Sequence, residues 1–131
     1  MYRFGNVIGE RTNHGVIYDF IAKLKKIGKW EMDRLAYLLT KLKALPDSDG
    51  RTVLDNTLIL YSSDISDGDA HNHDDMPVVL AGGGAGFKMG RHVEYPEMPH
   101  FGQLFLSIAN AFGSPITSFG EHGMAGLGGL V

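Results

Sequence analysis

The sequence predicts an α/β fold in which a small, mostly parallel sheet is flanked by helices. Two apolar runs, residues 57–61 and 77–81, show no alternation of polar and apolar side chains, which is typical of strands buried on both faces of a parallel sheet. Three further segments carry apolar residues at helical spacing, at residues 16–27, 32–42 and 101–112. The order of these segments is helix, helix, strand, strand, helix.

The boundaries of the elements follow from glycine and proline. Gly28 is expected to separate the first two helices, because glycine inside a helix costs about 1 kcal/mol relative to alanine. The second helix is expected to end before Pro46, since the residue preceding a proline disfavours the α region. Turn chemistry marks residues 46–50, a glycine-rich loop follows the second strand at residues 82–86, and residues 92–95 are expected to form a third, short strand.

The length and composition of the chain limit the class of protein. The 131 residues fit a single α/β domain, and a sheet of three strands predicts that this domain, residues 1–131, is part of a larger fold. Twelve basic against fifteen acidic residues give a formal net charge of −3, which argues against a nucleic-acid partner. The absence of cysteine excludes disulfides and thiolate metal sites. No apolar run approaches the roughly 20 residues of a membrane span.

The strongest functional signal is an acidic loop, residues 64–75, between the two apolar runs. It holds five aspartates and two histidines, and no lysine or arginine lies between Arg51 and Lys88. α/β proteins present their sites in loops at the carboxyl ends of strands. Such a concentration of carboxylates is unfavourable unless the loop is solvated or binds a cation. Two interpretations therefore stay open, a solvated acidic loop with Asp-Gly turn chemistry and a metal site.

A mixture of carboxylate and imidazole ligands suits zinc, manganese or iron better than calcium. The predicted ligands are Asp64, His71 and His73. Asp74 and Asp75 are predicted to orient an imidazole, because ligating histidines usually donate their other N–H to an acceptor. The same spacing, at residues 71, 73 and 75, matches part of a metallo-β-lactamase motif, although that motif continues with a histidine where this chain has methionine.

Four further side chains are candidates around this site. Asp67, with Asp69, is expected to cap the turn of the acidic loop. Arg91 has two open roles, binding an anionic oxygen with its fork of donors or forming an ion pair with the loop. His14 is either a metal ligand or a residue at the start of a helix. Thr12 either caps that helix, which is the favoured role, or points its hydroxyl into the site.

A series of short segments also resembles a known family. The segments include Ser66-Asp67-Gly68 and His71-Asn72-His73-Asp74. The others are residues 34–43, 54–61, 77–83, 90–93 and 101–112, with Pro115 and residues 118–120. In order and spacing, over roughly residues 9–130, they resemble the C-terminal part of a bacterial family of unknown function named for its HXXSHH motif.

The resemblance implies a fold and a location. Members of that family are longer and carry an export signal, which implies an exported bacterial protein whose N-terminal portion is missing here. The family is distantly similar to the alkaline phosphatase and sulfatase group, which holds one or two divalent metals at the carboxyl ends of a parallel sheet. In that comparison Glu10 and His14 have the acid-x-x-x-His spacing, Asp64 is the acid at the strand end, and His71 or His73 supplies a later imidazole.

The chain also departs from the family pattern. The naming motif would fall on residues 9–14, where His14 is kept but Thr12 replaces serine. Ile65 stands where a histidine usually follows the acid at the strand end. The nucleophile of the phosphatase and sulfatase group lies in the N-terminal half, which this chain lacks. The resemblance therefore implies a domain that is incomplete as a catalyst.

Two functions follow from these observations. The first is a divalent-metal-binding, hydrolase-like domain of the phosphatase and sulfatase type. The alternative is a non-catalytic structural or partner-binding subunit that keeps the fold without turnover. The partners expected are a second copy of the chain or the missing N-terminal half, because unpaired sheet edges favour pairing with another chain.

Overall fold

The structure, a computed structural model, describes the backbone of residues 14–131 and the side chains of residues 19–131. The chain divides into two compact units, Met1–Lys41 and Leu42–Val131. The helices and strands, in chain order, are α1 (His14–Ala44), β1 (Ile59–Ser62), β2 (Val78–Ala81) and α2 (Phe101–Ala111). Mixed helix and strand content is therefore confirmed. Among the residues described, no helix has the length and apolar content needed to cross a bilayer.

Helix α1 is one continuous helix of 31 residues, so the predicted break at Gly28 is wrong. A single glycine costs only about 1 kcal/mol, and the strong helix formers on either side outweigh that cost. An ion pair between Lys29 and Asp33, 2.7 Å apart and one turn from each other, also supports the helix just after Gly28. The helix ends at Ala44, two residues before Pro46, as the proline rule predicts.

The two strands pair antiparallel, with Ile59 opposite Ala81 and Ser62 opposite Val78. The prediction of a mostly parallel sheet is therefore wrong. Parallel neighbours need a crossover connection, usually a helix, whereas the connection at residues 63–77 contains neither helix nor further strand and simply reverses the chain. The uniformly apolar strand sequences misled the prediction, because the same pattern suits a hairpin with apolar side chains on both faces.

The two faces of this hairpin have different surroundings. Leu60 and Leu80 are opposite each other and pack against the buried core of the second unit. Because side chains alternate along a strand, Ile59, Tyr61 and Val79 point to the other face. On that face Val79 is 38% exposed, and on the core-facing side the end residue Val78 is 36% exposed. We call Ile59, Tyr61, Val79 and Ala81 the outer face of the hairpin.

The core of the second unit is small and depends on the C-terminal segment. Its buried cluster consists of Phe87, Leu104 from α2, and Leu130. Polar contacts hold the segment around Leu130 in place: Lys88 donates its backbone N–H to the Leu130 carbonyl at 2.9 Å. The Tyr95 hydroxyl donates to the Gly128 carbonyl at 3.0 Å. The predicted short strand at residues 92–95 is absent. That segment is irregular, and its Tyr95 binds the C-terminal segment.

The glycine-rich loop after β2 is confirmed, and its glycines have a steric reason. Gly82 has a φ of 106°, and a Cβ there would collide with the Thr57 carbonyl oxygen. A Cβ on Gly84 would lie 2.8 Å from the Thr57 carbonyl carbon. The backbone after β2 thus passes directly against the segment before β1, which closes the hairpin onto the core.

Replacing Leu104 by alanine should destabilise the second unit by roughly 2–5 kcal/mol, the usual cost of a cavity at a buried leucine. Leu104 is only 5% exposed and belongs to the buried core cluster with Phe87 and Leu130. Urea unfolding followed by circular dichroism measures the change. The control is Met124→Ala, at a side chain that is 68% exposed, where a change within about 0.5 kcal/mol is expected. Equal losses in the two variants would contradict this description of the core.

Candidate functional site

The acidic loop folds back on itself through its own backbone. The Ser66 N–H donates to the Asn72 carbonyl at 2.9 Å, and Asp67 forms an isolated antiparallel bridge with Asn72. The Asp67 carboxylate accepts hydrogen bonds from the backbone N–H groups of Ala70 at 3.1 Å and Asp69 at 2.8 Å. These two bonds lower the pKa of Asp67, because they stabilise the ionised form. Asp67 thus caps this turn through its carboxylate, whereas Asp69 contributes its backbone N–H.

The predicted metal ligands lie in this loop but do not converge. The side chains of Asp64, His71 and His73 are all exposed. His71 lies in the turn itself, with a positive φ of 51°. Within residues 19–131, no three histidine, aspartate or glutamate side chains are grouped so that they could hold a metal ion. The donor types suit zinc, manganese or iron, but the loop in this conformation does not assemble them.

The two aspartates predicted to orient an imidazole have other contacts. The Asp74 carboxylate accepts a long hydrogen bond, 3.4 Å, from the side-chain amide of Asn72. The backbone carbonyl of Asp75, rather than its carboxylate, accepts from the Ser66 hydroxyl at 3.3 Å. No hydrogen bond described in the structure joins either aspartate to a histidine, so the predicted second layer of the site is not formed here.

Among the described residues Arg91 forms no ion pair with the acidic loop, and its role in binding an anionic oxygen stays a prediction. Its Nε donates to the Lys88 carbonyl at 2.9 Å, and its Nη2 donates to the carbonyls of Gly129 and Leu130. The guanidinium fork therefore joins the Lys88 carbonyl to the backbone of the C-terminal segment. His14 begins α1, but its side chain and all of Thr12 lie outside the described residues, so their roles stay predictions.

Sequence reasoning missed an organised polar cluster at the turn after α1. The Asn56 side-chain amide donates to Asp47 at 2.7 Å and to Asp49 at 3.0 Å. Arg51 donates to Asp49 through its backbone N–H and its Nε, both at 3.0 Å, and through Nη2 to the Asn56 side-chain oxygen. The alternation of aspartates followed by glycine and arginine was a usable signal, since the arginine supplies the cation that the aspartates need.

This polar cluster lowers the pKa of its carboxylates. For Asp49 the pKa falls to about 2, chiefly through the Arg51 backbone N–H and then through Asn56 and the Arg51 side chain. For Asp47 the pKa is lowered mainly by the hydrogen bond from Asn56. These two aspartates are therefore ionised structural acceptors whose cation is Arg51, rather than ligands awaiting a metal.

A shallow cleft lies between the start of α2 and the turn at residues 119–123. His100 and His122 stack across it, with ring centroids 4.3 Å apart and planes 22° from parallel. Phe105 and Phe119 stack beside them at 5.1 Å. Imidazole lone pairs lie in the ring plane, so two nearly parallel, stacked rings do not direct nitrogens at one ion. We interpret this cluster as aromatic packing that holds the turn against α2.

Helix α1 exposes several large apolar side chains. Three of its exposed side chains are Phe20, Ile27 and Leu38, at 61%, 54% and 45% exposure. Helical spacing places nine residues on one side, which we call the apolar face of α1: Phe20, Ile21, Leu24, Ile27, Met32, Leu35, Leu38, Leu39 and Leu42.

The other side of α1 carries charges and aromatic rings. The Arg34 guanidinium lies 5.7 Å from the centre of the Trp30 ring, and the Lys41 ammonium lies 5.2 Å from that of Tyr37. Residues 14–44 contain seven basic and three acidic residues, a formal charge of +4. Residues 45–131 contain three basic and eleven acidic residues, a formal charge of −8. The charges of the chain are thus strongly segregated.

No protein-family model, no curated protein and no solved structure matches this chain. The resemblance to the HXXSHH-motif family accordingly stays a prediction from the residues quoted for it.

The Asp49 cluster predicts a loss of stability in acid. Because the folded-state pKa of Asp49 lies below the ordinary 3.8, its contribution is present above pH 3.8 and is lost as the pH falls towards about 2. Urea midpoints measured between pH 5 and pH 2 should fall for the native sequence. Asp49→Asn, which cannot bind the proton, should show a shallower fall over the same window.

Asn56→Ala is the matched second variant, since it removes a donor to the same carboxylate without touching the aspartate. It should also flatten the acid limb of the stability curve. Parallel curves for the native chain and both variants would show that the cluster does not contribute to the acid sensitivity.

Proposed function

We propose that this chain is a non-catalytic, partner-binding module whose binding surface is the apolar face of α1. The observation that carries this proposal is the exposure of large apolar side chains along a single helix, with Phe20, Ile27 and Leu38 each close to half exposed or more. Contiguous apolar patches on soluble proteins usually mark interaction sites. An amphipathic helix often forms such a surface, and its partner contacts side chains that lie about one turn apart along the helix.

The energetics favour covering this face. Burying an exposed Leu, Ile, Phe or Met side chain completely contributes about 1.5–3 kcal/mol. The second unit, by comparison, has four buried hydrophobic residues among those described: Phe87, Leu104, Leu106 and Leu130. Covering the exposed parts of the helix face would therefore stabilise a complex, which supports a role in association.

Our second proposal is that the acidic loop binds a divalent metal ion. The chain would then be a hydrolase-like domain that is incomplete as a catalyst. It is supported by the charge of the loop: no ion pair described in the structure involves Asp64, Asp67, Asp69, Asp74 or Asp75. Five carboxylates without a basic partner leave a strong local negative potential. The loop would have to rearrange to bring Asp64 and the histidines together, since no three-residue group is assembled in the part described.

The partner-binding proposal predicts that α1 supplies an exposed apolar surface in dilute solution. Fluorescence of a hydrophobic dye should rise on adding the chain at a concentration where light scattering gives a monomer. Ile27→Gln with Leu38→Gln should reduce that signal at least about twofold, because two of the most exposed side chains of the face are lost. Glutamine keeps good helix propensity, so circular dichroism should not change.

The matched control is Ala22→Gln with Thr40→Gln, which changes the same helix on its polar side, at two exposed positions. This variant should bind the dye as the native chain does. A monomer that binds no dye, or a signal that both variants lower equally, would contradict the proposal. Hydrolysis of a phosphate or sulfate ester by the purified chain, lost in Asp64→Asn, would contradict the non-catalytic assignment.

The metal proposal predicts saturable binding of Zn²⁺ or Mn²⁺ in calorimetric titration of the metal-free chain at neutral pH. Asp64→Asn and His73→Ala should each weaken the binding about tenfold or more, equivalent to about 1.4 kcal/mol. The control is His92→Ala, at an exposed histidine outside the acidic loop. If the native chain and the three variants bound the metal with equal affinity, the loop would be a solvated acidic loop and not a metal site.

A further inference from the structure

We propose that the partner is a second copy of this chain, with α1 of each copy packed on the outer face of the β1–β2 hairpin of the other. This inference rests on the proposed partner-binding function and names its occupant. Both surfaces belong to the same polypeptide, both are apolar and incompletely covered, and their surroundings carry opposite charge.

The apolar surfaces are complementary in kind. Ile59, Tyr61 and Val79 lie on the outer face of the hairpin, where Val79 is 38% exposed and the other two are half-buried. Strands with apolar side chains on both faces are typical of sheets covered on both sides, and here only the Leu60 and Leu80 side packs on the core. An amphipathic helix is the usual cover for such a face. The apolar face of α1 has that character.

The acidic loop beside the hairpin and the basic helix α1 carry opposite charges, which favours pairing of the same two surfaces. The hairpin continues directly into the acidic loop, with five aspartates and no basic residue, whereas α1 carries seven basic residues against three acidic ones. At 1.5 Å per residue α1 is about 46 Å long, so a helix lying on the four-residue strands would extend along the adjoining loop. Lysines at the edge of the apolar face, Lys25 and Lys43 among them, would then lie near aspartates of the other copy.

The same charges disfavour other occupants. Pairing α1 with α1 of a second copy would bring two helices of formal charge +4 together. A bilayer surface contacts one side of a helix, yet Trp30 and Tyr37, the rings suited to the membrane interface, lie on the side away from the apolar face and stack under Arg34 and Lys41.

Sedimentation analysis over a range of concentrations tests the dimer directly. We expect a reversible monomer–dimer equilibrium that weakens when NaCl is raised from about 0.05 M to about 0.5 M, because salt screens the charges between the surfaces. Ile27→Gln with Leu38→Gln, and separately Val79→Thr on the hairpin, should raise the dimer dissociation constant roughly tenfold or more. Ala22→Gln with Thr40→Gln should leave it within about threefold.

Zero-length carbodiimide crosslinking of mixed isotope-labelled and unlabelled copies identifies the surfaces in contact. We expect bonds from α1 lysines of one copy to aspartates of residues 63–77 of the other. Lysine–aspartate bonds confined to single copies would overturn the inference. So would a monomer at every concentration, and if that monomer still bound the dye through α1, the partner-binding proposal would survive with a different partner. Dimers resistant to the Val79→Thr change would likewise overturn the assignment of the hairpin.

Discussion

The second unit depends on the contact among Phe87, Leu104 and Leu130. The hairpin and α2 are each too small to be stable alone, and this contact joins them. Leu130 reaches it because Lys88 and Arg91 bind the carbonyls that follow and precede it. Polar contacts to an irregular segment thus decide whether an apolar core exists, and the acidic loop and outer face of the hairpin take their positions from it.

Sequence patterns located most elements because local physics determines them. Helix α2, the turn after Ala44 and both strands follow from periodicity, proline and turn chemistry. Strand direction did not follow, because the same apolar run suits a parallel sheet and a hairpin. The continuity of α1 through Gly28 does not follow from the glycine alone. The long run of helix formers around it outweighs the cost of one glycine.

The candidate site was predictable in composition but not in geometry. Residue types marked residues 64–75 as an acidic loop, and Asp67 caps its turn. Convergence of Asp64 with two histidines depends on the loop conformation, which the spacing alone does not determine. The contacts of Arg91 were not predicted for a related reason: two of its three partners are backbone carbonyls nearly 40 residues away, and sequence gives no signal for such contacts.

Contact ranges within the second unit also imply an order of events during folding. The hairpin closes between Ser62 and Val78, and α2 forms from neighbours in sequence, so both are entropically inexpensive to nucleate. The Lys88 ammonium, by contrast, meets the carbonyl oxygen of Val131 across 43 residues. Because loop closure becomes less favourable as the loop lengthens, docking of the C-terminal segment is the late step. The C-terminal segment is thus the part of the second unit whose docking completes the core.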